Sequence, residues 1–371
     1  MKTVLVTGAF GFIGRNLVAT LDRREDIEVL KIGSKHSLKE LEEYAIKADF
    51  IFHLAGVNRP VNIEDFTSGN LGYTENLIEI LNKNNKKTPI VLSSSIQAEQ
   101  NNPYGTSKFA AEKAVSNYGI SVGVNTFIYR LPNVFGKWSK PNYNSVVATW
   151  CYNISRNISI QINDPEAEIS LVYIDEVIES FINVMDNCEM ENEKNYTDTP
   201  RSFKIKLKDL EASIKNFKNS RNTLVISDLE KDFERFLYST YLSYLPENDF
   251  GYDLEMKHDN RGWLAEFIKT KHSGQVFISR TKPGITRGNH WHHTKVEKFL
   301  VIEGEAVVRF RQIEGDQIIE YPVIGESLKV IDIPPGYTHS ITNTGLGDVI
   351  TLFWANELFN PDKPDTYYLE V

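Results

Sequence analysis

Three groups of residues in the 371-residue sequence have the types and spacing to do chemistry. The first is "TGAFGFIG", with Gly8, Gly11 and Gly14 between an apolar run and a helical pattern. Pyrophosphate oxygens need backbone N–H donors and the positive end of a helix, and glycines let the main chain come close. The loop, with Phe10, Phe12 and Ile13 between its glycines, is therefore expected at a dinucleotide cofactor. The cofactor's 2'-group should meet the chain roughly 20 residues further on, where Gly33, Ser34, Lys35 and His36 stand without a carboxylate. A hydroxyl and cationic or protonatable side chains suit a 2'-phosphate, which favours NADP over NAD; otherwise Lys35 and His36 simply face solvent.

The second group is the serine run at 93 to 95, followed by Tyr104 and Lys108 at i and i+4 on one helical face. A hydride arriving at a ketone carbon leaves an alkoxide, and a tyrosine phenol can protonate it. A nearby ammonium should lower the phenol pKa, and a serine hydroxyl can hydrogen-bond the same oxygen. Both Ser94 and Ser95 stay open for that part. The third group is "GNHWHHTKVEKF" at 288 to 299. In a strand, His290 and His292 project to one face and His293 to the other. Glu297 and the distant His339 could complete a set of three imidazoles and one carboxylate, suited to zinc, iron or manganese. The alternative is a surface histidine loop.

Elements must hold these groups in place. Apolar runs at "TVLVTG", "IEVLKI", "DFIFHLAG", "PIVLSSS" and "NTFIYRLPNVFG" alternate with helical spacing, which predicts a parallel doubly wound sheet. "DNCEMENEKNYTDTP" at 186 to 200 is expected as a solvated loop, a helical stretch runs to about Leu245, and "PENDFGYD" is the linker candidate. Beyond it come short alternating strands with glycine turns, an all-β barrel or sandwich pattern. Two domains are expected, 1–245 and 246–371. The net charge of −9, from 41 basic and 50 acidic residues, carries no basic block and argues against nucleic acid or a membrane surface as partner. Cys151 and Cys188 fit no metal spacing and read as reduced thiols of a cytoplasmic protein. No apolar run reaches the roughly 18 residues of a membrane span.

Residues 1 to about 245 resemble an extended short-chain dehydrogenase/reductase: "TGAFGFIG", "HLAG" at 53 to 56, "NLGYTENL" from Asn70 to Leu77, "YGTSK", "RLPNVFG" and "LVYIDEV" fall in that family's order. The resemblance implies that Ser95, Tyr104 and Lys108 are the catalytic set, with Leu54, Ala55 and Gly56 also at the cofactor. Two departures matter. Only eight residues separate Ser95 from Tyr104, and Ile96 and Gln97 stand where the family's dehydratases carry acidic residues, so reduction is favoured over dehydration.

The remaining chain resembles a cupin. Gly284, His290, His292, Glu297 and Gly304 keep the spacing of its first motif; "PPGYTHSITN" supplies Pro334, Gly336, His339 and Asn343 of the second, with Leu328 in place of one turn glycine. The expected fold is thus an α/β Rossmann-like doubly wound domain followed by an all-β cupin barrel. "HDNRGWLAEFIK" at 258 to 269 resembles the entry segment of cupins that epimerise nucleotide-linked 4-ketosugars. His272, Tyr337, Lys298 and Glu266 are candidates for the proton-removing base. The order of the two parts, ending in "PDTYYLEV", is similar to one bifunctional family of capsule and O-antigen biosynthesis, on the route to UDP-N-acetyl-L-fucosamine. That similarity implies C3 epimerisation of a UDP-2-acetamido-2,6-dideoxy-4-hexulose in the cupin and NADPH reduction at C4 to UDP-2-acetamido-2,6-dideoxy-L-talose. It also implies zinc and a homodimer. Two other readings stay open: a 4-ketoreductase whose cupin is only structural or substrate-holding, and a non-catalytic NADP- or sugar-binding protein.

Overall fold

Five apolar runs of the first half become parallel strands: β1 (Lys2–Thr7), β2 (Ile27–Ile32), β3 (Phe50–His53), β4 (Ile90–Ser95) and β5 (Thr126–Leu131). The structure is a computed structural model that describes residues 1–60, 62–188, 196–362 and 364–371. The strands lie in the order β2-β1-β3-β4-β5, every neighbouring pair parallel. Val4, Leu5 and Val6 of β1 and Phe50, Ile51 and Phe52 of β3 are fully buried. Strands covered on both faces need such continuous apolar runs. The order reverses around β1, with β2 on one side and β3 on the other, so a crevice opens beyond the carboxyl ends of β1 and β3.

Helices carry the chain between strands. The helix α1 (Phe12–Leu21) starts from Gly11 directly after the glycine loop. Pro103–Val122 begins on Asn102, whose side chain accepts the Gly105 N–H, has proline in its first turn and ends at Gly123 with φ +68°. Each device satisfies or spares a terminal backbone group.

The chain forms two units. Met1–Ile214 and Phe236–Pro246 make the first, Lys215–Arg235 and Glu247–Val371 the second. The expected division at 245/246 assigns Lys215–Arg235 to the first domain; in the structure it groups with the second, where Val225–Ile226 pairs with Gly262–Thr270.

The second unit is all-β apart from that segment and a short turn of helix. One sheet orders Met256–Asp259, Gly262–Thr270, Gly274–Thr281, Val349–Ala355, Glu297–Glu303 and Val330–Ile333. The other orders Ile318–Ile324, Glu305–Gln312, Tyr337–Asn343, Thr286–Trp291 and Tyr367–Tyr368. Both contribute to one core: Phe299, Ile331, Ile333 and Phe353 from the first, Val308, Phe310 and Ile341 from the second. Among the described residues no ladder joins the sheets into a closed barrel. Cys151 is buried, Cys188 is partly so, and neither is in a disulfide. No helix among the described residues is long and apolar enough to cross a membrane. The polar stretch expected as a loop lies outside the described residues over 189–195.

Candidate functional site

In the first unit, a cleft of roughly 1160 Å³ opens at the carboxyl ends of the strands. Gly8, Phe10, Gly11, Phe12, Ile13, Gly14, Leu54, Gly56, Ser94, Ser95, Tyr104 and Lys108 all line it. Gly8 has φ +68°, and a Cβ there would fall 2.7 Å from the Ala55 nitrogen. A Cβ on Gly14 would come within 2.1 Å of the Gly8 oxygen. Side chains at these two positions would collide with the backbone of Leu54, Ala55, Gly8 and Ala9, so glycine is what lets the loop pack this closely against β3 and α1. Ala55, not itself a lining residue, is pinned beneath the loop by its N–H to Thr7 Oγ1. Ser34 and Lys35 are exposed at the end of β2. His36 is half-buried and stacks on Phe10 with ring centroids 6.0 Å apart. No carboxylate stands among Gly33 to His36, as the sequence implied.

Ser94 and Ser95 differ sharply. Ser94 is buried and donates its hydroxyl to Glu112, a fully buried carboxylate that also takes a forked contact from Arg130. Ser95 is half-buried, its hydroxyl accepts the Gln97 N–H at 3.2 Å, and it lies close enough to the Tyr104 phenol to affect its proton. Lys108 is buried and donates to the Ser93 carbonyl at 2.7 Å. Burial, offset only partly by the charge of Glu112, brings its pKa down to about 8. The expected lowering of Tyr104 by this ammonium is not found. Burial raises the phenol above its ordinary value, Ser95 pulls it partway back, and the Lys108 ammonium is turned into a backbone carbonyl.

Two supports escaped the sequence reading. Glu112 continues the i, i+4 row of Tyr104 and Lys108 by one more turn, a signal that was there to be read. Buried Asn70 clamps Val57 through both its N–H and C=O, and it donates to Ser107. His53 of "HLAG" is buried between the hydroxyls of Thr7 and Thr74. Burial, with the Lys108 charge, lowers its pKa to about 3, so it stays neutral.

In the second unit, His290, His292, Glu297 and His339 come together, one ligand atom from each lying within 4.8 Å of the others. A register shift between Gly288 and His290 sets His290 opposite His339. In an unbroken ladder Asn289 would take that place and His290 would point to the other face. His292 Nδ1 meets the Asp365 carbonyl, which can only accept, so Nδ1 is the donor there and Nε2 is the nitrogen left to face the cluster. His292 Nε2 and both nitrogens of His339 are buried with no hydrogen-bond partner. Each Nε2 lies 3.5 Å from Glu297 Oε2. Two ligands about 2.1 Å from a tetrahedral ion stand about 3.4 Å apart. Orphaned imidazole nitrogens at that spacing beside a carboxylate fit a divalent cation.

The electrostatics agree. Burial, then the neighbouring His339, lowers His290 to about 4, which keeps it neutral. Burial works against the Glu297 charge, yet His292, His339 and Lys295 outweigh it and hold the carboxyl far below its usual range. At 3.5 Å the imidazole contacts lack hydrogen-bond geometry, so that pull comes from nearness. Lys295 Nζ, 3.3 Å from Glu297 Oε1, was missed by the sequence reading. His293 is exposed and outside the cluster. None of the four candidate bases belongs to the cluster. His272 is exposed in a turn, Lys298 pairs with Asp332, Glu266 with Lys257 and Lys269, and Tyr337 with Gln312.

Comparisons with known proteins agree with this layout. Residues 4–197 match the NAD dependent epimerase/dehydratase family, and residues 257–367 match the polysaccharide biosynthesis C-terminal domain. The chain is 47% identical over 368 residues to a UDP-2-acetamido-2,6-beta-L-arabino-hexul-4-ose reductase of Pseudomonas aeruginosa, covering 99% of this chain and 98% of that protein. The crystal structure of the capsular polysaccharide assembling protein CapF from Staphylococcus aureus superposes with a TM-score of 0.92 at 49% identity, over 99% of this chain and 100% of that one. A crystal structure of CapF with the inhibitor 3-isopropenyl-tropolone matches at 44% identity and a TM-score of 0.88, over the whole of both chains.

Proposed function

Because the chain belongs to the NAD dependent epimerase/dehydratase family, and over nearly its full length to the group holding the Pseudomonas reductase and CapF, we propose that it is a bifunctional nucleotide-sugar enzyme of capsular or O-antigen polysaccharide synthesis. Its substrate is a UDP-2-acetamido-2,6-dideoxy-4-hexulose. The second unit epimerises C3 and the first reduces the C4 ketone to UDP-2-acetamido-2,6-dideoxy-L-talose. The observation that carries this reading is that one chain, matched end to end by these relatives, holds both the Ser95, Tyr104 and Lys108 cleft and the cluster of three histidines and Glu297.

In the first unit the glycine loop receives the pyrophosphate, and Ser34, Lys35 and His36 meet a 2'-phosphate. NADPH, when bound, supplies the hydride for C4. Ser95 hydrogen-bonds the ketone oxygen, while Ser94, committed to Glu112, keeps β4 and the Tyr104 helix in register. Tyr104 gives its phenolic proton to the oxygen as it becomes an alkoxide. Lys108 donates to the Ser93 carbonyl at the end of β4, and its lowered pKa eases proton uptake and release near neutral pH. In the second unit His290, His292, Glu297 and His339 hold a divalent cation, with zinc the proposed ion. When bound, it would supply Lewis-acid stabilisation of the enolate oxygen while a base takes the C3 proton, and return of a proton to the opposite face of C3 restores the ketone with that carbon inverted. The rings of Phe299 and Phe310 pack against the His339 imidazole and hold it in place. A homodimer in the cytoplasm completes the proposal, and light scattering of the purified protein tests its stoichiometry.

The test is to incubate the protein with the 4-ketosugar in D2O without NADPH. Deuterium is expected at C3, and protein stripped of metal should incorporate none. Absence of deuterium with the metal-loaded protein sinks the epimerase half. A His290→Ala/His292→Ala variant that turns over the unepimerised ketone at the normal rate would instead leave a reductase with a structural second unit.

A further inference from the structure

The residues expected at the cation all lie between 290 and 339, but the segment that contains them is tied down from the far end of the chain. The Asp365 carboxylate accepts the backbone N–H of His293 at 2.9 Å and those of Thr294 and Lys295 at 2.8 Å, together with the Thr294 hydroxyl at 3.1 Å. Its main-chain carbonyl takes the His292 Nδ1 proton. Thr366 Oγ1 accepts from Lys295 Nζ, the ammonium beside Glu297. The next two residues form a strand on the His290 strand, pairing Tyr368 with His290 and Tyr367 with Trp291.

We infer that Asp365 is the positioning residue of the metal centre: a clasp that fixes the 292–295 turn and the orientation of His292 without itself meeting the cation. The turn between His292 and Glu297 is not part of a strand, so no ladder holds it. Three consecutive N–H groups aimed at one carboxylate fix its backbone, and the fixed backbone sets where His292 Nε2 points. Outer partners of metal ligands typically matter by about 10–100-fold in affinity.

This inference rests on the metal reading above, and its test separates the two. Full-length apoprotein is titrated with Co2+, following the visible absorption of the bound ion, with a competing chelator to fix the affinity. Wild type should take up one ion, and Asp365→Ala should bind it about 10–100-fold more weakly with a displaced absorption band. Asp365→Asn keeps one acceptor oxygen for the Thr294 and Lys295 donors, so it should recover part of the affinity and of the band position. A role limited to structure would lower the unfolding midpoint of the apoprotein and leave the band of the bound ion unmoved. Wild-type affinity and spectrum in folded Asp365→Ala would overturn the clasp alone. Failure of the wild type to take up cobalt would overturn the metal reading, and the clasp with it.

Discussion

Lys108 carries its charge at a cost that can be measured. It is 5% exposed, and burial brings its pKa from 10.5 to about 8. A base held below its unfolded pKa binds protons less well folded than unfolded, so its penalty is complete below the folded value and disappears above the unfolded one. From these two values the charged form costs the first unit about 3 kcal/mol at pH 7 and about 1 kcal/mol at pH 9.5. Lys108→Met removes that penalty and also the hydrogen bond to the Ser93 carbonyl, worth about 1–2 kcal/mol. The variant should therefore be about 2 kcal/mol more stable than wild type at pH 7, with the advantage gone by pH 9.5. The fully buried thiol of Cys151, in the same unit, provides the assay. Pulse alkylation across a urea series, read on the Cys151 peptide by mass spectrometry, reports unfolding of this unit alone. Other groups titrate equally in both proteins and cancel in the double difference. NADPH oxidation with the 4-ketosugar should fall about 10²–10⁴-fold in the same variant. A stability difference that does not change between the two pH values would refute the reasoning, since it would mean that Lys108 titrates alike in folded and unfolded chains.

Two further outcomes are expected in the first unit. Ser95→Ala should reduce ketone turnover with little loss of stability, whereas Ser94→Ala should cost about 1–3 kcal/mol by leaving buried Glu112 short of a donor; paired kinetics and urea titrations check both, and a reversed pattern would make Ser94 the reacting serine. Gly14→Ala should abolish NADPH binding in a calorimetric titration, because its methyl would lie 2.1 Å from the Gly8 oxygen.

Much of the first unit was legible because its signals are local. Val4 to Val6 and Phe50 to Phe52 announce buried strands by composition, and Gly8 to Gly14 announce the turn by spacing. The imidazole cluster was legible through a motif that sets His290 opposite His339 on paired strands, although Glu297 reaches it from the other sheet. What the sequence hides depends on long-range pairing. Nothing local to Asp365 says that it will cap a turn some seventy residues upstream. Nothing local to Lys108 says that its ammonium will be turned toward Ser93 and not act on Tyr104. Val225–Ile226 is a two-residue strand between helices, too short for any period to reveal. The register shift at Asn289 is likewise invisible in the text, although it places His290 on the face of His339.

The interleaving of the two units bears on how the chain is made. Residues 215–235 emerge from the ribosome before Gly262–Thr270, the strand that Val225–Ile226 must join. At roughly 5–20 residues per second the segment waits several seconds for its partner, while Phe236–Pro246 completes the unit synthesised before it. The first unit can thus finish folding while it carries, between its own two segments, a stretch whose partner strand has not yet been made. For the same reason no single cut divides the gene into two intact halves: a fragment ending at Pro246 carries an orphaned stretch, and one starting at Glu247 lacks an edge strand.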